Sequence, residues 1–153
     1  MIGTADGGQR PRTVAVLTAD GTVVAREVAV ADKFGSRLMG LMGRSKLHSE
    51  EGLWLVPCNS VQMFFMRTPL DIAYLDRQLR VVRCVPEMRE WSARWWPVRH
   101  AYSALELAPG TLSRHRISEG DQLSMDAEPN LRTEVEAQMA TTSPEQYSSN
   151  VRE

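Results

Sequence analysis

The stretch "MFFMRTPLD", residues 63–71, drives four bulky apolar residues into Arg67 and, past Pro69, into Asp71. A guanidinium and a carboxylate at one corner can hold each other or nearby backbone. At an open corner the same two groups can hold a polar ligand above an apolar floor of Phe65 and Met66. Both readings stay open for the pair. Arg37, Gly40 and Arg44 are spaced by three and four, so on a helix they lie side by side. Glycine costs a helix interior about 1 kcal/mol relative to alanine. Gly40 therefore marks either close packing against a strand or the approach of an anion between two arginines.

Carboxylates form a further set. Asp71, Asp76, Glu106 and Asp121 fall at the ends of apolar runs, where acidic residues cap turns. If two converge, as Asp71 and Glu106 would at a shared rim, acid–base hydrolysis becomes chemically available. The segment "PEMREWSARWWPVRH" (86–100) interleaves Trp91, Trp95 and Trp96 with Arg89, Arg94 and Arg99. Such a loop either docks a partner or ligand through its indoles or wedges them under the open end of a sheet. No glycine-rich phosphate loop, nucleophile elbow or paired histidine ligand set occurs. His48, His100 and His115 stand far apart, so neither a metal nor a cofactor is expected.

These groups need elements to position them. The alternating runs "TVAVL" (13–17) and "TVVAREVAV" (22–30) flank Asp20-Gly21 and predict a hairpin. "LWLV" (53–56) and "VQMFFM" (61–66) are apolar throughout and read as central strands. "DIAYLD" (71–76) and "LRVVRCV" (79–85) form a second hairpin across Arg77-Gln78, and "AYSALEL" (101–107) and "DQLSM" (121–125) are further strands. Helical spacing occurs at 33–43, where Phe34, Leu38, Leu41 and Met42 share a stripe, and more briefly at 109–116. Short links between successive strands favour antiparallel pairing. The expected fold is α+β: a curved, mostly antiparallel sheet or partial β-barrel carrying one or two short helices.

Residues 1–12 read as a flexible arm, 13–126 as a single domain and 127–153 as a polar tail with a short helix around Leu131, Val135 and Met139. Eighteen basic and nineteen acidic side chains leave a net charge of −1, which argues against nucleic acid or an anionic membrane as partner. No run reaches the ~18 apolar residues of a membrane span, and the first residues lack a signal sequence. Cys58 and Cys84 are too few for a disulfide framework. A reducing, cytoplasmic setting is expected.

The blocks "RLMGLMGR", "CNSVQMFFMRTPLDIAYLD", "ALELAPG" and the late "GD" resemble, in this order, the prokaryotic family known as domain of unknown function 192, over about residues 31–125. The resemblance carries onto Gly40 to Arg44, onto Phe64, Phe65, Met66, Arg67, Pro69 and Asp71, and onto Glu106, Gly110, Gly120 and Asp121. The chain departs at Gln62 and Met63, where relatives often read His-Thr. The resemblance implies a small α+β or barrel-like fold and no established biochemical function. The expectation is a small-molecule or partner-binding module with a polar cleft lined by Arg44, Arg67, Asp71 and Glu106, with Phe65, Met66 and Asp121 as further ligand contacts. The alternatives are a hydrolase using Asp71 and Glu106 and an adaptor docking a protein through the Trp91–Trp96 loop.

Overall fold

A computed structural model of the chain describes residues 12–31, 46–61, 63, 67–89 and 97–127. Seven strands and one helix follow in order: β1 (Thr13–Thr18), β2 (Val23–Ala31), β3 (Glu51–Leu55), β4 (Leu70–Leu75), β5 (Val81–Met88), β6 (Ser103–Leu107), α1 (Thr111–Arg114) and β7 (Leu123–Asp126). The strands form one sheet in the order β5-β4-β6-β3-β2-β1-β7. The pairings among the described strands are antiparallel except β2 with β3, which run parallel from Glu27 opposite Glu51 to Ala31 opposite Leu55.

The first hairpin forms for the reason its sequence suggests. Asp20 accepts from the Thr18 hydroxyl and from the Thr22 N–H, and Gly21 takes a φ of 84°, a conformation that costs glycine little. The sheet then curls until its two edge strands meet. Val81 N–H donates to Asp121 O at 2.8 Å, Gly120 N–H to Val81 O at 2.7 Å and Leu123 N–H to Leu79 O at 3.1 Å, beside a bridge between Arg80 and Gln122. This stitching turns the sheet into a half-barrel and shields part of both edges.

Side chains alternate across the strands, so the curled sheet carries two cores. The inner one gathers Val14, Val16, Val28, Ala73, Leu75, Leu105, Leu107 and Leu123, capped by Leu112 and Ile117. The outer one gathers Ala31, Leu53, Leu55, Leu70, Ile72, Tyr74, Ala104 and Ala108 under Leu47, Val61 and Met63.

Three expectations change. Among the described residues the only helix is the four-residue α1, so the architecture is mostly β rather than α+β. The predicted helix at 33–43 and the helix in the 127–153 tail lie outside the described residues. Val61 and Met63 are buried but belong to no strand. The Val61 backbone is served by a side chain instead, since its N–H donates to the Tyr74 hydroxyl at 3.1 Å. At these two positions the run is core without being ladder, because burial alone does not select a strand. Finally, a parallel pair stands in a sheet expected to be mostly antiparallel, and the chain crosses between its strands through residues 32–50.

Candidate functional site

Strand β6 places Glu106 opposite Leu53 on one side and Ile72 on the other. Directly opposed residues share a face, so Glu106 joins Leu53, Ile72, Ala104 and Ala108 on the outer core. It is 7 % exposed, and its carboxyl has no hydrogen-bond or ion-pair partner among the described residues. Burial pushes that carboxyl up to about 7, so near neutral pH it is poised between the acid and the carboxylate. A buried acid without a partner is a costly feature of this face, and a group so perturbed is a candidate for a functional role.

Asp71 has the opposite orientation. It opposes Leu107, one step out of phase with Ile72 and Glu106, and so looks toward the inner core. Its carboxylate is fully buried and engaged at both oxygens. Oδ1 accepts the Glu87 N–H at 2.8 Å and Oδ2 accepts the Leu112 N–H at 2.8 Å. Glu87 sits at a φ of 46°, inside the register shift between β4 and β5. Leu112 lies in the first turn of α1, whose N-cap is Gly110 with no side chain to offer. Asp71 therefore caps α1 from a neighbouring strand, satisfying the buried Leu112 N–H, and pins the β5 bulge through the Glu87 N–H.

Of the expected convergence of Arg67, Asp71, Glu106 and Arg44 at one rim, the register corrects the pairing of Asp71 with Glu106. Asp71 and Glu106 lie on different faces of the sheet and cannot act on one substrate together. Arg67 is exposed, in the bend before Pro69, and forms no ion pair with Asp71. Asp121 is also exposed and lies elsewhere. Its Oδ2 accepts the Ser118 N–H at 2.8 Å, and it borders a surface cleft with Asp20, Arg114, His115 and Arg116. Arg44, Phe65, Met66 and the tryptophans at 91, 95 and 96 lie outside the described residues.

Sequence reading missed two carboxylates. Parallel pairing sets Glu27 beside Glu51, and two residues along the same strands Ala29 and Leu53 join the outer core, so both acids share Glu106's face. Glu27 is exposed, and Glu51 is half-buried with Oε2 accepting the His48 N–H at 3.1 Å. The alternation in "EGLWL" could have placed Glu51 with Leu53; nothing local could have placed Glu27 beside it. The cap role of Asp71 also had a signal, since the "APGT" start of α1 contains no capping acid of its own.

The two cysteines are free. Cys58 packs on the outer core and Cys84 on the inner one. Burial pushes the Cys84 thiol up to about 11, aided by the charges of Glu119, Asp121 and Asp71, so it is no thiolate nucleophile at neutral pH. Among the described residues, no His, Cys, Asp and Glu side chains group as a metal-binding set, and no helix is long and apolar enough to cross a membrane.

Residues 15–125 match the DUF192 family, described as Uncharacterized ACR. Two solved structures share the fold. One is a protein of unknown function from Novosphingobium aromaticivorans, 24 % identical, with a TM-score of 0.65, covering 80 % of this chain and 91 % of that one. The other, from Sinorhizobium meliloti and provisionally described as a transcription regulator, is 24 % identical, with a TM-score of 0.61, covering 75 % of this chain and 93 % of that one. At this identity the likeness concerns the fold alone. No curated protein matches the chain.

Proposed function

The chain belongs to the uncharacterised DUF192 family, and from that footing we propose that it is a binding module whose polar anchor is Glu106 on the outer face of the half-barrel. The observation that carries this reading is the burial of an unpartnered carboxyl among Leu53, Ile72, Ala104 and Ala108. A buried polar group without a partner costs about 1–3 kcal/mol, and a bound molecule that supplies the partner recovers that cost. Small-molecule sites are mostly apolar with few polar groups that fix orientation, which is the composition of this face.

Arg44, Phe65, Met66 and Arg67 are retained as proposed ligand contacts, Arg67 being exposed. Asp71 is assigned to the scaffold, since both its oxygens are engaged by backbone donors. Asp121 is assigned to the separate cleft beside Arg114 and Arg116. A hydrolase built on Asp71 and Glu106 has no support in this register. We read residues 13–126 as the folding unit, and the two free cysteines favour a reducing, cytoplasmic setting.

A thermal-shift screen of metabolites, run in parallel on the wild type and on Glu106→Gln, tests the reading. A ligand present at 100 times its dissociation constant stabilises by ~2.7 kcal/mol. Hits that stabilise the wild type and fail on the variant are expected. A set of hits indifferent to the substitution would place binding elsewhere and defeat the reading.

A further inference from the structure

An open cleft of about 640 Å³ lies at the end of β4, and we propose that it is a second binding site, which takes the carboxylate of a small organic acid on Arg77. The β4–β5 turn supplies Asp76 and Arg77 to one wall, with Val82 of β5 behind them. The residues that lead into β6 supply His100, Ala101 and Tyr102 to the other. Tyr102 precedes Glu106 by four residues, ~13 Å of extended strand, so this site is independent of the Glu106 reading.

Arg77 is positioned but not used. Its guanidinium lies over the Tyr102 ring, 4.2 Å from the centroid. That contact covers one face of the group and leaves the N–H donors of its rim, which no acceptor among the described residues takes. The ring orients a long side chain before any ligand arrives, so less freedom is lost on binding. Asp76 lines the same cleft, one residue away, yet forms no ion pair with Arg77. Its Oδ1 instead accepts the Gln78 and Arg80 N–H groups, both at 2.9 Å. The obvious internal partner is thus committed to the turn, which leaves the guanidinium for an external acceptor. Backbone bonds tie both walls: Asp76 N–H to Arg80 O at 3.0 Å on one, Tyr102 N–H to Leu75 O at 2.7 Å on the other.

The lining selects the class. His100 has no side-chain partner among the described residues, and an imidazole donates an N–H in either protonation state. Arg77 and His100 therefore bring donors to the cleft from both walls. The planar fork of a guanidinium matches the two oxygens of a carboxylate. Asp76 repels a phosphate dianion more strongly than a carboxylate monoanion. Val82 and Ala101 are half-buried and offer contact to a short hydrocarbon body.

Butyrate, 1-butanol and inorganic phosphate are titrated separately into the full chain at pH 8 and constant ionic strength, and followed by calorimetry and two-dimensional amide spectra. Butyrate is expected to shift residues 77, 100 and 102 and to bind about tenfold or more tightly than butanol, the increment of a charge-assisted hydrogen bond. Arg77→Gln should remove that preference, and Arg77→Lys, which keeps the charge and loses the fork, should weaken it. Arg77 is exposed, so both variants should melt with the wild type. Glu106→Gln should leave butyrate binding unchanged, which separates this site from the outer face. Butyrate bound as tightly by Arg77→Gln would place the acid elsewhere and overturn the proposal. Butanol as tight as butyrate, phosphate tighter than butyrate, or no shift at residues 77, 100 and 102 in millimolar butyrate would each overturn it too.

Discussion

Asp71 and Glu106 occupy adjacent strands one residue out of phase, and so face opposite sides of the same sheet. One is a fully engaged clamp on two backbone donors, and the other a buried acid with no partner among the described residues. The same residue class is thus engaged at both oxygens on one face and without a partner among the described residues on the other.

Asp71→Asn separates these roles. The amide keeps one acceptor and turns a donor toward either Glu87 N–H or Leu112 N–H, leaving a buried clash. Hydrogen bonds to charged groups are worth about 1.5–3 kcal/mol, and a stranded partner adds to the loss. A destabilisation of about 2–4 kcal/mol is expected in urea unfolding, with no change in the ligand preferences of the outer face. A loss under about 0.5 kcal/mol would show that the clamp is dispensable.

Glu106 should make stability fall with rising pH. Its carboxyl sits at about 7 when folded against an ordinary value of 4.5, so between these limits the folded state keeps a proton that the unfolded chain releases. Stability from this group is complete below pH 4.5, declines through the interval and levels off above 7. The full difference is about 3–4 kcal/mol at most, from roughly 1.4 kcal/mol per unit. Glu106→Gln should flatten that slope and be the more stable protein at pH 8. Unfolding curves that run parallel from pH 5 to 8 for the two proteins would contradict the assignment.

Legibility in the sequence followed the range of the interactions. The β1–β2 and β4–β5 hairpins could be read because their turns carry their own chemistry, Asp20-Gly21 in one and the Asp76 carboxylate accepting the Gln78 and Arg80 N–H groups in the other. The burial of Glu106 could not be read, because it is decided by β3 and β4, far along the chain. The face that Asp71 presents depends on whether its strand begins at Leu70 or a residue later, and periodicity alone leaves such a boundary loose. The parallel pairing of β2 with β3, which brings Glu27 to Glu51, is set by the crossover and the barrel's closure rather than by any local turn.

Cys58 and Cys84 belong to opposite cores and should never pair. Melting temperatures with and without reductant should agree. The thiol of Cys84, raised from 9.0 to about 11, should alkylate about a hundredfold more slowly than an ordinary thiol at pH 8, each unit costing a tenfold share of thiolate. Urea should abolish that protection. Rapid labelling of the native protein at Cys84 would show its surroundings to be more open than the packing implies.

The last prediction concerns what closes the fold. Every described strand and both cores lie within residues 12–127, so a fragment of that span is expected to unfold cooperatively. A fragment ending at Ser118 should not. It loses β7, whose Leu123 is 2 % exposed and whose residues Leu123 to Asp126 pair with Thr18 to Ala15. It also loses the Gly120, Asp121 and Leu123 backbone bonds to Leu79 and Val81 that join the edges of the sheet. Burying one leucine contributes about 1.5–3 kcal/mol, and unpaired edges on β1 and β5 would favour association between chains. The shorter fragment is therefore expected to show a broad transition and to aggregate at concentrations where the longer one stays monodisperse, as read by calorimetry and light scattering. A sharp transition in the fragment ending at Ser118 would mean that the half-barrel needs no closure.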